Sequence, residues 1–585
     1  MWVWWCILGS MKTRRSPVHV STIRRKYKDK VYECHLLRRT IREGRKVRNE
    51  TVANLSQLPT DVIEVLKRAL SGEQLVPAEE LIQTEKTRAA GHVRAVMGTM
   101  KRLGIAELLS TRPSRERTLV LGMIVERLLH PASKLGTVRL WKTSTLASEL
   151  GVEDADANDL YETLDWLLAH QTRIEGKLAS RHLKEGGLAL YDVSNSAYEG
   201  RTCPLARLGH DKDGRHGMSI ITYGVMTNGE GCPVAMGVYS GDTGDPTTVP
   251  DQIYKLRGRF GLQEVVLVGD RGMLTQSRIE YLKRHPGLGW ISALRTEAIR
   301  KLMEGDALQL SLFDETNLAE IQSPDFPGER LVACFNPLLA DERKRKRREL
   351  LEATEKLLTR ISAEVSRRTQ KPLTAGEIGQ KVGQVLHRYK MAKHFVVQST
   401  DGHLMWSRDD VSIAREEQLD GIYVIRTSEP AGRMTGEDVV RNYKRLGQVE
   451  QAFRCIKGID LRVRPIFHRE EDRVRAHFFL CMLAYYVEWH MRRALAPLLF
   501  EDETVGADRA TRDAVAKPEP SVSVKAKKGT KRTPDGLPVH SFHTLLAELA
   551  TQASVTYRVS DSNARFEQLS CASPLQQKAF SLLGL

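Results

Sequence analysis

Apolar positions along the chain change their spacing several times, and each change marks a different kind of element. In residues 18–58 apolar side chains mix with basic ones over short extended runs. Val31–Leu36 and Lys46–Val52 read as strands on either side of a turn at Glu43-Gly44. From residue 60 to about 184 the apolar residues recur every three or four positions, clearest over Leu119–Leu129 and Leu160–Leu178, which predicts helices. Thr60-Asp61 resembles an N-cap before Val62-Ile63. The segment 137–152 has the length of a helix-turn-helix, although ordinary packed helices fit it better. Past Gly187 short apolar runs predict strands at 188–193, 218–226, 234–239, 265–269 and 290–294, with a helix near 275–284. Three neighbouring strands followed by a strand–helix–strand unit make a mixed sheet flanked by helices, an α/β core.

Residues 296–420 interrupt this texture. They hold strand-like runs at 330–335 and 395–398 and a highly charged helical stretch at 341–368. The run Arg343–Arg348 suits either phosphate contact or a solvated helix end. Gly421–Arg426 resumes the sheet, and Thr435-Gly436-Glu437-Asp438 resembles a capping box that opens the helix carrying Glu450. A helix from Val474 to about Leu495 is apolar on one side and should back the core. Residues 515–535 read as a flexible basic linker, followed by a final helix at 541–553. The expected organisation is an N-terminal extension (1–10), a basic, mainly helical N-terminal region suited to DNA binding (11–185), an α/β core in two parts (186–295 and 421–500) split by an insertion (296–420), and a C-terminal linker with a helix (501–585).

Composition narrows the function. Hydrophobic content of 41% and charged content of 28% exclude a disordered chain, and 585 residues predict several domains. The net charge of +16 favours a polyanionic partner, with nucleic acid foremost. Residues 1–50 concentrate it, with fourteen Lys/Arg against four Asp/Glu. The eight cysteines never approach Cys-x-x-Cys spacing, which fits a reducing cytosol better than a zinc site or a disulfide framework. The apolar run Trp2–Leu8 is too short to span a bilayer, and no other run reaches that length. Met11 is expected to be the native start, with residues 1–10 arising from upstream translation. The expected location is the cytoplasm, on DNA.

Three acids carry the candidate chemistry. Asp192 follows Leu188-Ala189-Leu190-Tyr191, and Asp270 follows Val265–Gly269, so each should stand at a strand end. Ligands of α/β folds bind at such ends. Glu450 lies in a helical segment, and the 7, 4 and 3 residue spacing of Tyr443, Glu450, Arg454 and Lys457 would put these on one helix face. That face joins an acid, a phenol and two cations, a set suited to a metal beside a DNA phosphate. Two strand acids and a helix acid are the layout of an RNase H-like site holding two Mg²⁺ ions, with Mn²⁺ a possible substitute. Asp242 and Asp245 read as turn residues, with support of the site or DNA contact as the alternative, and Asp211 and Asp213 as loop residues. His210, His216 and His468 lack metal-ligand spacing. No Walker-type phosphate loop is present.

With these residues in place the chain resembles the DDE transposases of bacterial insertion sequences. The subgroup it is most similar to carries a Tyr-x2-Arg-x3-Glu-x6-Lys signature and a large insertion before the Glu. Tyr443, Glu450 and Lys457 occupy three of its four positions, and Leu446 stands where the pattern has Arg. Tyr191–Ser194 resembles the first-acid strand, Gly209–His216 the loop before the next strand, Gly269–Met273 the second-acid motif, and Asp420-Gly421 the return to the catalytic fold. The resemblance implies an RNase H-like core split by an insertion, with Asp192, Asp270 and Glu450 as catalytic and metal-binding triad. It also implies DNA contact by Tyr443, Arg454 and Lys457, cleavage and strand transfer at inverted-repeat ends, and a homodimer in the DNA complex. A stand-alone RNase H-like nuclease would share the triad but cut without joining. A catalytically silent DNA-binding descendant would do neither.

Overall fold

The computed structural model describes residues 5–7, 18–27, 30–73, 75–77, 82–214, 217–503, 513–516, 519–559 and 564–585; Met11 and His216 lie outside them. The chain divides into two compact units, one of residues 1–90 with 552–571 and one of residues 91–551 with 572–585. The span 11–185 therefore falls across both.

The smaller unit holds the basic N-terminal segment. Strands Val18–Tyr27, Lys30–Glu43 and Lys46–Asn54 form an antiparallel sheet, and helix Thr60–Leu70 packs on the first of them. The turn between the second and third strands is Gly44-Arg45, with Glu43 opposite Lys46 and Gly44 at a φ of 61°. A second antiparallel sheet joins Ile82–Ala89 to Ala553–Val559 and Arg565–Leu569.

In the larger unit one sheet dominates. Its strands are β1 (Gly187–Ala197), β2 (Arg207–Leu208), β3 (Ser219–Asn228), β4 (Pro233–Ser240), β5 (Val265–Gly269), β6 (Leu288–Ala293), β7 (Leu318–Ile321), β8 (Arg330–Phe335) and β9 (Ile422–Thr427). Across the sheet the order is β4-β3-β1-β5-β6-β9-β8-β7, with β2 paired to β3. β4, β3 and β1 form an antiparallel meander, then β5 and β6 run parallel to β1. A meander joined to two parallel strands in this order is the RNase H-like arrangement. The chain is thus α/β, a mixed sheet flanked by helices. β7 and β8 extend the same sheet beyond β9, antiparallel to their neighbours.

The flanking helices are α1 (Arg115–Leu129), α2 (Ala157–His182), α3 (Pro337–Arg367), α4 (Ala375–Tyr389), α5 (Gly436–Lys444), α6 (Leu446–Lys457) and α7 (Glu471–Leu495). α7 packs against α1, α2 and β4, and its sixteen buried residues on nearly every side explain its almost unbroken apolar sequence. One hydrophobic core runs from α1 and α2 through β1, β3 and β5 to α6 and α7. The insertion expected at 296–420 has two parts. β7 and β8 belong to the main sheet, whereas α3, α4 and the hairpin of Phe395–Thr400 and His403–Arg408 enclose a core of their own around Leu358, Ile378 and Phe395. Phe335 on β8 pairs with Ile422 on β9, so the chain leaves and re-enters the sheet at one point.

Two C-terminal expectations are corrected. The segment expected as a linker contains a helix, Val522–Thr530, because the buried Lys527 ammonium donates to the carbonyls of Ala496 (2.9 Å) and Glu501 (2.7 Å) and to the Glu503 carboxylate (2.9 Å). The helix expected last, Phe542–Ala550, is followed by the strand pair of the smaller unit and by a further helix, Pro574–Leu582. Among the described residues no helix is long and apolar enough to cross a membrane.

Candidate active site

The parallel register of β1 and β5 sets the site. Gly269, the last residue of β5, pairs with Tyr191, so the next residue on each chain brings Asp192 and Asp270 side by side. Asp270 stands just past its strand, as the sequence suggests. Asp192 does not stand at an end, because β1 runs on to Ala197 along its other neighbour, β3. Beyond Tyr191 β1 has no strand on the β5 side, and there the Val193 N–H donates to Asp192 Oδ1 at 2.8 Å. Asp270 caps its own turn, accepting from Arg271 N–H at 2.7 Å. The Asp192 carboxyl is pushed up to about 6, first by burial and then by the nearby charges of Asp270 and Asp245, with Lys212 opposing them.

Glu450 is exposed on α6, whose buried face (Val449, Ala452, Phe453, Ile456) packs on β1 and β3. The expected single helix through Tyr443 and Glu450 is broken. α5 ends at Lys444, and Gln448 N–H reaches back only to the Arg445 carbonyl (2.9 Å), so Tyr443 and Glu450 lie on successive helices. Tyr443 nonetheless lies close to all three acids. Its largely buried phenol is held well above the usual range by burial, and then by the charges of Asp270, Asp192 and Glu450 against Arg271. One hydroxyl thus lies within electrostatic reach of the whole triad.

The cations divide. Arg454 is exposed and makes no side-chain hydrogen bond or ion pair among the described residues. Lys457 is paired with Asp213 at 2.9 Å. Arg445, beside the Leu446 position, donates to the Gly229 carbonyl at 3.3 Å. Within Arg343–Arg348, Arg347 is buried against Asp420, and Arg343 donates to the Leu419 carbonyl (3.2 Å).

Several groups near Asp192 carried no sequence signal of their own. Lys212 Nζ donates to the Val193 carbonyl (2.7 Å) and to Asp245 Oδ2 (2.8 Å), joining two loops beside Asp192. Buried Asn195 holds the Lys212 loop, donating to the His210 carbonyl (2.8 Å) and accepting from Lys212 N–H (3.1 Å). The two loops cross where a Cβ on Gly209 would collide with the Gly241 carbonyl. Asp245, expected as a turn residue, therefore acts on the site through its charge.

The donor set consists of hard carboxylate oxygens, which suit Mg²⁺ or Mn²⁺. Crowded like charge around Asp192 is a feature that a dication would relieve. The triad oxygens are not among those that lie within 4.8 Å of one another; among the described residues that holds for His182, Cys232 and His490 and for Cys455, Asp460 and Glu488.

A family model described as Transposase DDE domain matches residues 201–487, and the N-terminal domain of the IS1634 family transposases matches residues 20–84. The chain belongs to the insertion-sequence DDE transposases. The DDE match spans Asp270 and Glu450 and starts after Asp192, while the N-terminal match covers the basic three-stranded sheet. The transposase is thus a DNA-acting enzyme of a family that depends on divalent metal. A cryo-EM structure of a piggyBac transposase synaptic complex with hairpin DNA aligns at 8% identity over 79% of this chain and 76% of that one, with a TM-score of 0.34. That likeness is too distant to bear on the chemistry. No curated protein matches the transposase.

Proposed function

We propose that the transposase cleaves DNA at the inverted-repeat ends of its element and joins the freed 3′ ends to target DNA, with Asp192, Asp270 and Glu450 holding two Mg²⁺ ions. The observation that carries this reading is the register that sets Asp192 beside Asp270, with α6, which carries Glu450, packed on β1. When bound, the ions would activate the attacking hydroxyl and neutralise charge on the leaving oxygen of an in-line displacement. Asp192 and Asp270 offer oxygens from the sheet, and Glu450 offers them from α6. The Tyr443 hydroxyl is a donor for a carboxylate or a DNA phosphate. Exposed Arg454 is available to the DNA backbone, and Lys457 reaches it by exchanging Asp213 for a phosphate. Mn²⁺ has the same preference for oxygen ligands and should replace Mg²⁺. Two ends must meet before joining, which calls for a homodimer in the DNA complex.

A strand-transfer assay tests the reading, with end-containing duplex, target plasmid and Mg²⁺. Joined product that vanishes with chelator is expected. Cleavage without joining would make the chain a nuclease, and no product with Mg²⁺ or Mn²⁺ would make it a DNA-binding protein alone.

A further inference from the structure

Away from the triad a second ligand cluster lies where three elements meet. His182 is the last residue of α2, Cys232 sits in the turn between β3 and β4, and His490 is on α7. One potential ligand atom from each lies within 4.8 Å of the others. Cys232 is fully buried, its turn fixed by its own N–H donating to Asn228 Oδ1 at 3.0 Å. His490 Nε2 is buried with no hydrogen-bond partner, an expensive state for an imidazole nitrogen. The Tyr486 hydroxyl lies 2.9 Å from His182 Nε2, the kind of outer hydrogen bond that orients metal-bound histidines.

We propose that His182, Cys232 and His490 bind one Zn²⁺ ion that staples α2, the β3–β4 turn and α7 together. Two imidazoles and a thiolate are softer than the oxygens of the triad and select Zn²⁺ over Mg²⁺. Tetrahedral bonds of about 2.0–2.3 Å place ligand atoms roughly 3.5 Å apart, and these three already lie within 4.8 Å of one another. The charged neighbours are Arg102, Arg181 and Arg493 and the Glu230 carboxylate, which acts on both His182 and Cys232. Glu230 is ion-paired with Arg493 and stands in the same turn as Cys232, where its carboxylate or a water can complete the coordination. The site is independent of the proposed catalytic chemistry.

The test is a Co²⁺ titration of the full chain carrying Asp192→Asn, Asp270→Asn and Glu450→Gln, which removes carboxylate binding at the triad. Expected is a thiolate-to-cobalt charge-transfer band with intense tetrahedral bands, saturating at one Co²⁺ per chain and displaced by Zn²⁺. Cys232→Ser should abolish the charge-transfer band. His490→Gln, which keeps the thiol, should weaken Co²⁺ binding at least tenfold. Absence of the band, its persistence in Cys232→Ser, or unchanged affinity in His490→Gln would overturn the assignment. Because thiolate absorption does not report on carboxylate sites, its failure leaves the transposase reading standing.

Discussion

At the scale of single residues, this protein hides charge in its core as well as displaying it. Lys134 is buried, makes no hydrogen bond among the described residues, and burial with the Arg127 charge lowers its ammonium to about 7. His477 and His468 beside it are also held low by burial and by the same cations. Because the folded state binds the Lys134 proton less tightly than the unfolded chain does, its penalty is full below about 7. It fades as pH rises toward the unfolded value near 10.5. Lys134→Met should therefore raise the melting temperature by a few degrees at pH 6 and by less near pH 10, measured by calorimetry. Single residues were also where the sequence was most and least legible. Asp192 and Asp270 could be found because a buried strand writes itself as an apolar run. The pairing of Lys212 with Asp245 could not, because they meet only through the order of the sheet and a crossing of two glycines. Beside Leu446, the Arg445 guanidinium donates to the Gly229 carbonyl.

Among the elements, β8 and β9 carry the most consequential geometry. Their antiparallel pair ends at Phe335 and Ile422, and Asn336 N–H donates to the Gly421 carbonyl at 2.9 Å. α3, α4 and their hairpin thus hang from what is otherwise the open end of a β-hairpin, with a hydrophobic core of their own. Replacing residues 337–420 by an Asn-Gly turn should leave a folded chain with cooperative unfolding, read by circular dichroism and thermal melting. Loss of the cooperative transition would show that the main sheet depends on the insertion. The sequence marked the insertion through its charged helix. It did not reveal that β7 and β8 belong to the sheet, since strands of four and six residues look alike whichever core they serve. The break at Arg445 was equally hidden, because the helical period runs through it unchanged.

On the scale of the whole molecule, the two compact units carry equal net charge, and the smaller one carries it at the higher density. The smaller unit exposes Arg42, Arg45, Lys46 and Arg48 around the Gly44-Arg45 turn, whereas the triad belongs to the larger unit. Replacing these four with Ala should weaken binding to element ends and flatten its salt dependence by about 0.9 in log–log slope for each phosphate no longer neutralised. An unchanged slope would place the DNA-binding surface elsewhere. The basic N-terminus and the α/β core were legible from charge and periodicity. Contributions from 553–569 to the smaller unit were not, because nothing local announces a strand partner nearly five hundred residues away. The most direct test of the central claim compares wild-type protein with Asp192→Asn, Asp270→Asn and Glu450→Gln for Mg²⁺-dependent cleavage of a duplex carrying the inverted repeat beside its gene. Each substitution should reduce cleavage at least a hundredfold with end binding unchanged, and full cleavage by any one of them would remove that residue from the triad.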